Sequence, residues 1–402
     1  MNAPKPPLFT FRFLALCLFM LLAYCNISVF YNLYVYLEQI GIAQPLRGPI
    51  ISCSSLATIL CFLFASPYLT TRNAPWAIFL GLALLIGCGV AYLTVLSPSG
   101  MLALRLINGA GIYLLTASAM TLLVAHIPPE RSGQAFGLYS VAALLPYSIV
   151  PAAFDGMGNL LASPAHGYAY MSMALIPAAL VNLMLMLQDK RGSDRQTTAQ
   201  SGSKPAGLRA MFTNMRTPKI GLLLIINSVY YLNFSALFFL SKGLFTSRGL
   251  GGVGLFFSIQ TCCMLLIRLF AARLFDEVDK LKLIVWCYGA TAVGFGLLWG
   301  TQGIVMEIAS ALVLGLGMGV GPPSLNALMY SISEPKLKGV NSNLMVMALQ
   351  LGSFFGPILG GIAVGMLGYA GFLAVGMLAN IGGIGLSLHF RRKGWVNGPT
   401  QA

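Results

Sequence analysis

Ten carboxylates stand among the 402 residues, and three of them, Glu38, Asp155 and Glu307, fall at the ends of apolar runs instead of in the basic loops. A carboxylate so placed is a protonatable group that a conformational change could expose first to one side of a barrier and then to the other. Arg105 is the matching cation. It lies about four residues, ~6 Å at 1.5 Å per residue, inside the end of its own apolar run, at the level of Glu38 and Asp155. Pairing with Arg105 would favour the ionised form of either acid in one conformation and free it for protonation in another. The alternative is that Arg105 snorkels to headgroups or a backbone carbonyl and that both acids are ordinary loop residues.

A second set of residues suits binding. Asn26 and Asn233 each sit near the middle of an apolar run with aromatic neighbours that include Tyr24, Tyr31, Tyr34, Tyr230 and Tyr231. Aromatic faces accept apolar or cationic groups while amides fix polar ones, a combination that fits a small amphipathic solute. Equally, each Asn could bond across helices as structural glue. Asn108 and Gln350 join the candidates on similar grounds, while Arg268 is read as structural.

Other chemistries lack their residues. His126, His166 and His389 have no His, Asp or Glu partner at ligand spacing, and the eight cysteines lie in apolar segments with no ligand pattern, so no metal and no disulfide framework is expected. A Gly-x-x-x-x-Gly-Lys-Ser/Thr phosphate cradle is missing, and no other cofactor is expected. A membrane-embedded enzyme would place a His/Asp/Glu cluster or a long catalytic loop at the surface, and neither occurs.

The elements that must position these groups are membrane spans. The chain is 57% apolar and 8% charged, with a mean hydropathy of +0.81, against about 25% charged residues in soluble domains. A hydrocarbon core of ~30 Å needs about 20 apolar residues per helix. Breaks at charges, prolines and glycine clusters give six spans at roughly Phe13–Leu37, Gly48–Leu69, Pro75–Leu96, Met101–Ala125, Gly133–Phe154 and Tyr168–Leu187. Six more follow at roughly Ile220–Leu240, Gly252–Phe275, Leu283–Gly300, Ile304–Ser331, Gly339–Leu367 and Gly371–Phe390, with bends expected at Pro322–Pro323 and Pro357. The first run continues to Leu37, too long for the 7–15-residue core of a cleaved signal, and is read as a retained span.

Charge sets the orientation. Nineteen of the 24 Lys and Arg fall in one set of loops and termini, three (Arg47, Lys242, Arg248) in the other and two (Arg105, Arg268) inside spans. Basic residues are retained on the cytoplasmic side, so both termini are expected there, in a bacterial inner (plasma) membrane. Seven of the nineteen lie in the polar stretch 188–219, which reads as a basic linker between an N-terminal bundle (1–187) and a C-terminal bundle (220–390), with a tail at 391–402. The net charge of +14 is thereby explained by topology, with no nucleic-acid partner.

The halves repeat. Asn233 follows Asn26 by 207 positions, and Gly315 and Gly317 follow Gly109 and Gly111 by 206, as Gly339 follows Gly133 and Pro357 follows Pro151. Repeats of six spans keep the same orientation and are related by an axis along the membrane normal.

Two six-helix halves joined by a basic linker resemble the major facilitator superfamily of secondary transporters over essentially the whole chain. Arg105-Leu-Ile-Asn108-Gly109-Ala-Gly111 is similar to that family's R-x-x-x-G-x-G signature, whose arginine is linked to coupling. Arg268-Leu-Phe-Ala-Ala-Arg273-Leu-Phe-Asp276 resembles its loop motif, which implies that Asp276 meets a helix N-terminus in a cytoplasmic gate, although Glu277 replaces the usual Arg and Thr70 and Thr71 stand at the first-half positions. Gly352-x-x-x-Gly356-Pro357-x-x-Gly360-Gly361 is similar to the signature of drug–proton antiporters, carried here by the eleventh span, not the fifth. Glycines four apart allow close helix approach, and proline permits bending. The resemblance implies an all-α polytopic membrane protein, twelve transmembrane helices in two pseudo-symmetric six-helix bundles, in which the first, fourth and fifth helices line the cavity. It implies a monomeric transporter, not an enzyme, whose partners are a small-molecule substrate, protons and the lipid bilayer. The expected activity is secondary active transport of a small amphipathic solute by alternating access, with proton-coupled export as the leading mode, uptake or facilitated diffusion as alternatives, and a membrane-embedded enzyme or non-transporting sensor as rivals of another class.

Overall fold

In the computed structural model residues 9–127, 131–157, 160–192, 208–270 and 278–395 are described. Among them the regular structure is helical, and eleven helices are long and apolar enough to cross a membrane. The last is really two, because Gly368 at φ 65° breaks it where an L side chain would be strained. Twelve spans result: α1 (Phe11–Gln39), α2 (Gln44–Phe64), α3 (Ala74–Ala91), α4 (Pro98–His126), α5 (Gln134–Met157), α6 (Pro164–Leu187), α7 (Pro218–Ser247), α8 (Val253–Phe270), α9 (Lys280–Trp299), α10 (Ile304–Ile332), α11 (338–367) and α12 (369–392).

Local chemistry explains several ends. Proline starts α4, α6 and α7, where its missing N–H is no loss and its fixed φ suits a first turn. Ser97 caps α4 by accepting from Gly100 N–H at 3.2 Å, and Asp279 caps α9 by accepting from Leu281 N–H at 2.8 Å. The helix starts at Pro98, not Met101, which puts Arg105 seven residues, ~10 Å, from the end instead of four. α7 runs on to Ser247, beyond the expected Leu240, and so takes Lys242 into a helix. α10 continues as one helix through Pro322 and Pro323, and α1 is interrupted by a 3₁₀ turn at Val29–Asn32. The loop holding Asp276, with the expected gate, lies outside the described residues.

The repeat is carried by contacts as well as letters. Gly109 of α4 packs on the Ser54 carbonyl of α2, and Gly315 of α10 on the Gln260 carbonyl of α8. Gly111 meets the Gly81 carbonyl and Leu85 of α3, and Gly317 meets the Cys287 carbonyl and Thr291 of α9. Every residue of the second set stands 206 positions after its counterpart, so the two six-helix bundles are built on the same crossings. A Cβ at Gly109 or Gly315 would collide with backbone, and one at Gly111 or Gly317 would be tightly crowded, which is why small residues recur there.

Between the bundles α2 packs on α11 and α5 on α8. This junction has the same pseudo-symmetry. Gly48 of α2 abuts the Pro357 carbonyl of α11, while Gly254 of α8 abuts the Pro151 carbonyl and Ala152 of α5. Both crossings lie toward the ends of the bundles remote from the termini, here called the far side.

Burial is uneven across the thickness. One apolar core unites the far end of the first bundle, including Val29, Tyr34, Ile50, Tyr92 and Tyr168, with the second bundle. Another holds Phe13, Phe19, Ile78, Leu115, Tyr139 and Leu185, all from the terminus end of the first bundle, and no second-bundle residue among those described. Among the described residues the bundles thus share one core on the far side, while the terminus end of the first bundle packs on its own.

Candidate functional site

Between the bundles lies a cavity of about 120 Å³. α2 and α4 give it a polar wall of Ser54, Ser55, Thr58, Arg105 and Asn108. Tyr147 of α5 and Phe234 and Phe238 of α7 form an aromatic wall, and Gln350 and Ser353 of α11 add polar groups from the second bundle. Tyr147 packs edge-on against Phe234 and Phe238, with ring centroids 5.6 and 5.0 Å away, so the aromatic wall itself bridges the bundles.

Behind the polar wall runs a buried chain of hydrogen bonds. Arg105, 4% exposed, donates through Nη1 to Asn108 Oδ1 at 3.3 Å and through Nη2 to the Ile51 carbonyl at 3.2 Å. Its guanidinium also lies 4.7 Å from the Phe30 ring centre. Asn108 donates to Asn26 Oδ1 at 3.3 Å, and Asn26 donates to the Ser172 hydroxyl at 2.8 Å. The chain ties α4, α1 and α6 together through buried polar groups, with Arg105 Nε left unpartnered.

Asp155, near the end of α5, closes the far side. Its Oδ1 accepts from Lys242 Nζ at 2.7 Å and from the Tyr31 hydroxyl at 2.9 Å, and its Oδ2 accepts from Gly254 N–H at 2.7 Å. Gly254 is in the first turn of α8, where unpaired N–H groups and the helix dipole favour a carboxylate. One first-bundle acid therefore holds two second-bundle helices. Gln44 of α2 adds a hydrogen bond to the Gly361 carbonyl of α11. Along α11, Gly352 and Gly356 lie against α7, while Pro357 and Gly361 face Gly48 of α2, so the glycine–proline motif joins the packing of the second bundle to the far-side junction.

The expected residues therefore separate into groups. Arg105, Asn108 and Gln350 line the cavity, Asn26 stands behind Asn108, and Tyr31 and Asp155 belong to the closure. The expected partnership of Arg105 with Glu38 or Asp155 is not present in this conformation. Glu38 pairs with Arg47 at 3.2 Å and Asp155 with Lys242, because residues on their own level of the junction reach them. Asn233 departs from its counterpart Asn26. It is buried in α7, donates only to the Val229 carbonyl one turn back at 3.1 Å, leaves Oδ1 unpartnered and does not line the cavity. Glu307 is buried in the first turn of α10, with Oε1 unpartnered.

Sequence reasoning did not find Ser54, Thr58, Tyr147, Phe234 or Lys242. A hydroxyl or a ring in an apolar run carries no sign of the face it occupies. Lys242 had a signal, as a lone lysine two residues past a span limit on the side poor in basic residues.

Comparison with known proteins matches the model of the Major Facilitator Superfamily over residues 13–252 and 223–400. An uncharacterized MFS-type transporter of Pseudomonas aeruginosa is 23% identical over 151 residues, 37% of this chain and 37% of that protein. Among solved structures, the nucleoside transporter NupG superposes with a TM-score of 0.74 at 15% identity, covering 95% of this chain and 99% of NupG. A bacterial homologue of the human lysosomal transporter Spinster, in an inward-facing and unoccupied conformation, gives 0.73 at 13% identity, covering 98% and 100%.

Proposed function

This chain belongs to the major facilitator superfamily, and from that premise we propose that it carries a small amphipathic solute across the membrane by alternating access, exporting it in exchange for protons. The observation that carries this reading is the cavity itself, lined by both bundles, polar on one wall and aromatic on the other, beneath a junction that among the described residues is made on the far side. With the termini on the cytoplasmic side, as the loop charges imply, the cavity is offered to the cytoplasm in this conformation, where an exporter loads.

Residues 1–187 and 220–390 are then the two rocking bodies, and the basic linker lets them move while fixing orientation. Proton entry would act at Asp155. A proton taken from the far solution while the junction is open would be given up toward the terminus side as the junction closes, because Lys242, Tyr31 and the α8 N-terminus then gather around the ionised carboxylate. The drug–proton antiporter resemblance of α11 supports the same mode, since that motif forms one half of the junction that must part.

The test is metabolite profiling of deletion and overexpression cells, followed by counterflow of the enriched compound in proteoliposomes. A compound that accumulates inside deletion cells, and whose exit from proteoliposomes accelerates when the opposite compartment is acid, supports proton-coupled export. Failure of deletion cells to acquire the compound reverses the direction, and counterflow unchanged by a pH gradient removes proton coupling.

A further inference from the structure

We propose that the solute is an organic anion, its carboxylate, sulfonate or phosphate held by Arg105 and its apolar part lying against Tyr147, Phe234 and Phe238. This deepens the carrier reading and rests on it.

Arg105 is the only residue with an ionised side chain among those that line the cavity, and no lining residue is acidic. Among the described residues no carboxylate pairs with it: the two ion pairs near the junction consume Glu38 and Asp155 on Arg47 and Lys242. Yet Arg105 is 4% exposed. A guanidinium this buried needs electronegative partners, and the protein supplies dipoles, not a carboxylate: the Ile51 carbonyl, the Asn108 amide oxygen, the Tyr92 hydroxyl and the face of Phe30. Of the five N–H groups on its fork two donate to the Ile51 carbonyl and Asn108, and its Nε is buried without a partner. With Nε buried, the remaining Nη N–H groups of the fork at the cavity wall are the donors left for the oxygens of an anion.

The rest of the cavity fits the other end of such a molecule. Ser54 and Ser55 share the arginine's wall of the cavity and add hydroxyls to it. Across the space, Tyr147, Phe234 and Phe238 offer rings, and the adjoining hollow between α5, α7 and α8, lined by Leu144, Leu237 and Met264, extends the apolar surface. Arg268 of α8 is a second arginine with a buried, unpartnered Nε. Its charge reaches Tyr24, a cavity residue, and Tyr231, and so adds positive potential from the second bundle. An amine, by contrast, would meet Arg105 with no carboxylate to receive it.

The test uses the purified full-length protein in lipid nanodiscs and matched probes: straight-chain ω-phenyl carboxylates of two to ten methylenes, the corresponding sulfonates and phosphates, and for each carboxylate its amide and its amine. Binding is read as ligand-induced thermal stabilisation and by calorimetry. The expected result is that at least one acid binds the wild type about tenfold or more tighter than its amide, that the amines do not compete, and that Arg105→Lys keeps the preference for the acid while Arg105→Gln brings the acid-to-amide ratio near one. The wild-type ratio requires no variant to fold. No acid preferred over its amide at any length, or a preference that survives Arg105→Gln, overturns the proposal. The carrier reading is judged separately, by counterflow: a neutral or cationic solute moved by wild type and Arg105→Gln alike sinks the anion while keeping the carrier. Tight, Arg105-dependent anion binding with no flux keeps the anion site and sinks the carrier.

Discussion

Replacing Gly48 by valine should unlock the far side of this protein without disturbing either bundle. A Cβ at Gly48 would lie 2.5 Å from the Pro357 carbonyl oxygen and 3.0 Å from Ile358 Cα, both backbone atoms that no rotamer change can move aside. To restore ordinary contact α2 and α11 must separate by about 1 Å, and overpacking of this kind costs roughly 1–3 kcal/mol. The strain exists only while the bundles are joined, since Gly48 meets its neighbours across the junction. The whole cost therefore falls on the far-side-closed state, which shifts the balance between the two states by about 5- to 150-fold. The assay is labelling of a cysteine at Ser353, a cavity residue, in a background lacking the eight native cysteines, with an impermeant maleimide applied to vesicles of either orientation. With native Gly48 the reagent should react from the terminus side. Gly48→Val should raise the far-side rate at least fivefold, and Gly254→Val, which strikes the Pro151 carbonyl at the related crossing, should do the same. Gly109→Ala is the contrast: its clash with the Ser54 carbonyl is inside the first bundle, so it should lower thermal stability without changing the side of access. Unchanged labelling in both valine variants, with protein intact, would refute the idea that these crossings hold the far side shut.

Asp155→Asn and Lys242→Gln should each move access in the same direction by about fivefold, ~1 kcal/mol for a partly solvated pair, and the double variant should exceed neither single one by much when the same labelling is measured. Asn26→Ala should lower the unfolding temperature in detergent, at ~0.6–2 kcal/mol, because it strands Asn108 and Ser172, whereas Asn233→Leu should be neutral or stabilising, since it removes an orphaned amide oxygen. Loss of transport in Asn233→Leu at normal stability would instead return that residue to the solute pathway. Substitutions within Gly192–Ser203 should leave transport intact, while neutralising all seven basic residues of the linker should reduce correctly inserted protein, as read by protease protection of the termini.

Much of the architecture was legible because its causes are local. Apolar length gives the spans, and spacing at 206 gives the repeat. Glycines at Gly109, Gly111, Gly315 and Gly317 even marked the helix crossings, since a backbone contact leaves no room for another residue. The site was less legible. Arg105, Asn108 and Gln350 were identifiable as polar groups that an apolar run does not need, but the partner each acid takes depends on which helices cross on the far side. Asn26 and Asn233 show the limit of repeat reasoning. The backbone crossings are shared, yet one amide joins a three-helix chain and the other folds back on its own helix, a difference decided by Asn108 and Ser172, which have Leu314 and Leu378 in the corresponding places of the second half.

Alternating access is tested most directly by tying α2 to α11. A Cβ at Gly365 would touch the Gln44 side chain, so Gln44→Cys with Gly365→Cys, in the cysteine-free background, should form a disulfide across the far end of the junction. Counterflow of the solute found by metabolite profiling is then followed before oxidation, after it and after reduction. Flux that stops when the bridge forms and returns when it is reduced is the predicted result. Flux that continues at its full rate with the bridge closed would contradict transport by parting of the two bundles.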